Sequence, residues 1–171
     1  MAPTAPSDPS AVGPRRQLET FLSRYEPGIK SLARAILRKM EARLPGATEL
    51  VYDNYNALVV GFGPNERASD CPFSIAVYAR WVNLYFLEGS LLSDPEGLLK
   101  GSGNRVRHIT LRQEPDFDVP GVQALITQAL NVADPPMPSR AKRRAIVIKS
   151  VSAKQRSRRP APSRPRPATV R

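Results

Sequence analysis

The sequence predicts an α+β fold: a two-layer α/β sandwich whose antiparallel sheet carries N- and C-terminal helices packed on one face. Helical periodicity comes first, then a run of short β-rich segments, then helical periodicity again. Runs of this kind, rather than strict βαβ alternation, belong to an antiparallel sheet. The central strands also alternate. Val82, Leu84 and Phe86 face one way with Ile75 and Val77, while Trp81, Asn83 and Tyr85 face the other with Ser74, Ala76, Tyr78 and Arg80. One face is apolar and the other mixes aromatic and polar groups, as in a sheet covered on one side only.

Each element has its own signal. Leu18, Phe21, Leu22 and Tyr25 fall at helical spacing. Pro27 suits the first turn of a second helix, where its missing N–H costs nothing. That helix has an apolar stripe from Ile29 through Ile36, Leu37 and Met40 to Leu44. Its other face is cationic (Lys30, Arg34, Arg38, Lys39, Arg43), and Pro45-Gly46 ends it. Residues 49–53 and 56–61 read as strands, and Gly63-Pro64-Asn65-Glu66 breaks the pattern. Residues 73–79 and 81–88 are the strongest strands, reversing near Arg80. A loop over 93–97 leads to a short helical turn near Leu98 and Leu99, then to a strand over 105–111. A closing helix covers 119–133, with Val122, Leu125, Ile126, Ala129 and Leu130 on its apolar stripe. Residues 145–150 form a late strand at a sheet edge.

A chain of 171 residues holds one domain plus tails. Its net charge of +11 is uneven: residues 1–16 carry +1, residues 17–153 carry +3, and residues 154–171 carry +7 without a single acid. The fold itself is therefore not markedly basic. Residues 1–16 are rich in Pro, Ala and Ser, and residues 154–171 in Arg and Pro. Neither can bury enough apolar surface to offset the entropy of ordering, so both are expected to be disordered, leaving 17–153 as the domain. The N-terminus has no secretory signal, and no stretch approaches the roughly 20 apolar residues of a membrane span. A cytoplasmic protein with no membrane partner is expected. The single cysteine, Cys71, excludes an intramolecular disulfide and any multi-cysteine metal site, and it fits a reducing compartment.

Candidate chemistry is sparse. Cys71 reads as a buried thiol or a reactive one. His108 is the only histidine and has no orienting acid nearby in sequence. Lys100-Gly101-Ser102-Gly103-Asn104 could cradle a phosphate, but its lysine precedes the glycines, so a simple turn is the plainer reading. Glu114, Asp116 and Asp118 read as a solvated loop or as cation ligands. Two candidate surfaces remain. Asn54, Tyr55 and Asn56 fit a reversal or bulge; with Tyr78, Arg80, Trp81, Asn83 and Tyr85 they offer rings and amides suited to a flat ligand or a peptide. A plain packed face or a dimer interface fits these residues as well. The tail residues Lys154, Arg156, Arg158, Arg159, Arg164, Arg166 and Arg171 are either a solvated extension or a non-specific contact for nucleic acid or another polyanion.

An ordered succession of segments resembles the YdhG-like domain family, a domain of unknown function (1801). It runs from Leu44-Pro45-Gly46 through Glu49-Leu-Val-Tyr52, Asn56-Ala-Leu and Gly63-Pro64. It continues with Trp81-Val-Asn-Leu-Tyr-Phe-Leu-Glu-Gly89, Asp94-Pro-Glu-Gly-Leu-Leu-Lys-Gly-Ser-Gly103 and Arg105-Val-Arg-His-Ile109. The resemblance covers roughly residues 18–133. It implies a small α/β sandwich, and for some relatives a frataxin-like iron chaperone with an acidic ridge on the first helix. This chain departs from that ridge. Residues 18–44 carry Glu19, Glu26 and Glu41 against Arg24, Lys30, Arg34, Arg38, Lys39 and Arg43, and a cationic helix repels iron.

The sequence is therefore expected to encode a non-enzymatic binding or chaperone-like module with no cofactor, no metal site and no catalytic residues. Its partner is an unidentified small ligand or protein, and its oligomeric state is open. One alternative is a weak nucleic-acid-associated accessory protein acting through the basic tail. A second is frataxin-like iron binding, which the cationic helices disfavour. An enzyme ranks last, because no nucleophile–base pair or paired acids are visible.

Overall fold

The structure is a computed structural model that describes residues 12–140 and 145–162. Among these, three α-helices, α1 (Pro14–Leu22), α2 (Pro27–Arg43) and α3 (Pro120–Val132), pack on a six-stranded sheet. The strands are β1 (Thr48–Asp53), β2 (Leu58–Gly63), β3 (Phe73–Val77), β4 (Val82–Phe86), β5 (Arg107–Leu111) and β6 (Ile146–Val151), in the order β5-β4-β3-β2-β1-β6. Each helix begins on a proline at its first turn, where the absent N–H is no loss.

The alternation read from sequence sets the layers. Ile75 lies opposite Leu84 and Val77 opposite Val82, while Ser74 lies opposite Tyr85 and Ala76 opposite Asn83. The first set joins Val51, Val60, Phe62, Phe73 and Leu111 in a single buried cluster with Leu22, Ile36, Met40, Leu125 and Ile126 of the helices. All three helices therefore cover one face of the sheet. The edge between helices and sheet is closed by Tyr25. Its hydroxyl donates to the Val77 carbonyl at 2.7 Å and accepts from the Leu58 N–H at 3.1 Å.

The sheet is mixed, which corrects the antiparallel expectation. Strands β1 to β5 pair antiparallel, but β6 runs parallel to β1, with a one-residue register slip between Val51 and Tyr52. Alternation reports which face a side chain takes, not which way a strand runs, so the sequence carries no sign of this. The direction has a consequence at the C-terminus. Because β6 runs the same way as β1, the chain leaves it beside Asp53, at the end of the sheet where β1 turns into β2. There it packs. The Ser152 N–H donates to the Asp53 carbonyl at 2.9 Å, and the Arg156 N–H donates to the Tyr55 carbonyl at 2.8 Å. Residues 154–162 thus lie against the domain instead of forming a free extension.

Smaller departures have local causes. Helix α1 begins at Pro14, inside the segment expected to be disordered. The helical turn expected near Leu98 is replaced by a turn in which both Asp94 carboxylate oxygens accept from the Leu98 and Leu99 N–H groups, at 2.9 and 2.8 Å. Residues Glu114–Asp118 form a short 3₁₀ turn closed by Asp116, which accepts from the Arg112 and Gln113 N–H groups. Gly46 lies so close under Pro138 that a Cβ there would sit 1.9 Å from the Pro138 carbonyl oxygen. No helix among the described residues is long and apolar enough to cross a membrane.

Candidate ligand-binding groove

Two tight reversals meet at one end of the sheet. The β1–β2 reversal is closed by the Asn54 N–H donating to the Ala57 carbonyl at 3.0 Å, which puts Tyr55 and Asn56 at its tip. The β3–β4 reversal is closed by the Tyr78 N–H donating to the Trp81 carbonyl at 2.9 Å, which puts Ala79 and Arg80 at its tip. Leu58 pairs with Val77, so the two tips are neighbours. The C-terminal segment passes alongside, and the three elements enclose a groove of about 990 Å³. No described non-glycine residue takes positive φ, so both reversals form without left-handed backbone.

The groove brings together most of the two candidate surfaces. Asn54, Tyr55, Asn56, Tyr78, Arg80 and Trp81 line it, and so do Arg156 and Arg159. Tyr55 and Trp81 remain 51% and 42% exposed, unusual for rings of this size. Tyr78 stacks on Trp81 with ring centroids 5.2 Å apart and planes 28° apart. Among the described residues no carboxylate lines the groove.

Asn83 and Tyr85 do not reach it. Asn83 is buried, accepts from the Thr110 hydroxyl at 2.9 Å, and donates to the Tyr85 hydroxyl at 3.3 Å. Tyr85 shares a hydrogen bond of 3.1 Å with the Tyr78 hydroxyl, and its ring lies 5.2 Å from His108. These residues form a string across the second face that fixes Tyr78 from behind. Burial, and then the Tyr85 bond, hold the Tyr78 phenol well above its ordinary pKa, so Tyr78 stays neutral in mildly alkaline solution. His108 is held below its ordinary value by burial first and by the Lys100 charge second, so neutral imidazole is the favoured form.

The tail residues divide. Arg158 is 5% exposed, and its guanidinium meets the fully buried Asp53 carboxylate at 2.9 Å. It also donates to the Tyr55 carbonyl at 3.2 Å and to the Asn54 carbonyl, and it lies 5.8 Å from the Tyr25 ring centroid. Arg24 pairs with the other Asp53 oxygen. The Gln155 side chain donates to the Asp53 carbonyl at 3.1 Å. Arg158 is therefore an anchor and is not available to a polyanion. Arg156 and Arg159 are exposed on either side of it, with Arg159 donating through Nε to the Arg24 carbonyl at 3.3 Å. Lys154 is exposed and lies outside the groove lining. Arg164, Arg166 and Arg171 lie outside the described residues.

The remaining candidates take structural places. Cys71 is buried over Gly61 and Gly63, and burial raises its thiol pKa to about 11, which keeps it protonated at neutral pH. It helps line a small apolar pocket of about 210 Å³ on the same face of the sheet. Lys100 bridges His108 through paired backbone hydrogen bonds of 2.8 and 2.9 Å, and Gly101 at φ 116° makes the turn into β5. Glu114 and Asp118 pair with Lys39, and Glu19 pairs with Arg34. No group of three or more His, Cys, Asp or Glu side chains that could hold a metal ion occurs among the described residues.

Sequence reasoning missed that the two surfaces are one. The signal available was the lone acid in Tyr52-Asp53-Asn54: a carboxylate inside an apolar strand pair needs a cation, and the tail is rich in them. No family model, curated protein or solved structure matches the chain.

Proposed function

We propose that this chain is a non-catalytic binding module, built on a YdhG-like sandwich, that captures a planar anionic ligand in the groove. One observation carries the reading: among the described residues, three aromatic rings and three guanidinium groups line the groove with no carboxylate. Rings supply flat apolar area, and guanidinium groups bind phosphate or carboxylate bidentately. Among the described residues the lining holds rings, amides and guanidinium groups and no thiol, imidazole or carboxylate that could act as base, which favours binding over catalysis. The Arg158–Asp53 anchor holds Arg156 and Arg159 in place before a ligand arrives, and this lowers the ordering cost of binding.

Trp81 is the only tryptophan, so its emission reports on the site directly. Thymidine monophosphate is expected to change that emission and to bind about tenfold more tightly than thymidine, the difference expected for one charge-assisted contact. Its affinity should stay level from pH 7.5 to 9, because the phosphate is already doubly ionised and Tyr78 remains neutral. Equal binding of nucleoside and nucleotide, or no change in emission with either, contradicts the reading.

A further inference from the structure

Resting on the groove reading, we infer that the ligand is a single-stranded nucleic acid, with bases stacked on Trp81 and Tyr55 and phosphates held by Arg80, Arg156 and Arg159.

The groove is large for a single small molecule. At about 990 Å³ it reaches the top of the range of small-ligand pockets, roughly 300–1,000 Å³, and its two outer rings stay half exposed. A strand whose successive bases present π faces covers both. The rings and cations also come from different elements. Tyr55 stands on the first reversal, Trp81 and Arg80 on the second, and Arg156 and Arg159 on the C-terminal segment. A lining that combines rings with cations matches a backbone that runs beside its own bases.

None of these three arginines has a carboxylate partner among the described residues. On the helix face Arg34 and Lys39 are paired with Glu19 and Asp118. Beyond Pro162 the sequence adds Arg164, Arg166 and Arg171 and no acid. In a duplex the base faces are hidden, so Trp81 has nothing to stack on.

The test uses the full chain and follows Trp81 emission with a twelve-residue oligothymidylate, a twelve-base-pair duplex and thymidine monophosphate at several salt concentrations. The oligomer is expected to quench Trp81 and to bind more tightly than the monophosphate. Replacing Arg80, Arg156 and Arg159 together by Ala should make the plot of log K against log salt shallower by about 2, at about 0.7 per phosphate. Followed by anisotropy of a labelled oligomer, W81A should lose roughly tenfold, one stacked base, while W81F should lose less. If the monophosphate binds as tightly as the oligomer, the strand inference falls and the groove reading stands. If neither changes the emission, both fall. If the duplex binds as tightly as the oligomer without quenching, the contact is electrostatic only and the inference is overturned.

Discussion

The two faces of the sheet are built from the same strands and have opposite chemistry. On the helix side, Ile75, Leu84 and Phe86 are fully buried in one apolar cluster with Ile36, Met40 and Ile126. On the other side, Asn83, Tyr85 and Tyr78 form a hydrogen-bonded string that ends at a half-exposed Trp81. The first face can be rebuilt with any apolar set of similar volume. The second is a specific hydrogen-bonded arrangement. Polar and aromatic groups at this end of the sheet are where the proposed ligand would gain contact area.

Where the two faces meet, Asp53 holds both. Replacing it by Ala strands the buried Arg158 guanidinium, and loss of one partner of a buried pair costs about 3–5 kcal/mol. D53A should therefore show the largest drop in denaturation midpoint, and truncation after Ala153 should also destabilise, because Arg158 and Gln155 leave with the tail. A truncated chain as stable as the full one would mean that the segment only rests on the domain. A smaller effect separates the faces themselves. L84A removes a fully buried side chain from the helix side and should cost about 3 kcal/mol. W81A removes a half-exposed ring and should stay within about 0.5 kcal/mol of the parent while losing ligand. Chemical denaturation checks both, and a W81A loss as large as that of L84A would make Trp81 a core residue.

Much of this contrast was legible in the sequence. The alternation of Val82, Leu84 and Phe86 against Asn83 and Tyr85 assigned the faces, because side-chain period in a strand is fixed at two. Pro27 marked the start of α2 for a reason as local. The order of the C-terminal segment was hidden. An Arg-Pro stretch without apolar groups reads as disordered on composition, yet it is fastened by one carboxylate 105 residues earlier in the chain. The parallel direction of β6 was hidden too, and it is what delivers Arg158 to Asp53. The groove therefore went unseen as a unit, although six of its lining residues were already singled out as one surface and two as another.

The most direct test of the contrast is amide hydrogen exchange on the full chain, with and without a saturating oligothymidylate. Protection is expected at residues 54–57, 78–81 and 156–161, with α1, α2 and α3 unchanged. Protection confined to the cationic surface of α2, with those three segments unaltered, would place the ligand on the helix side and contradict the account.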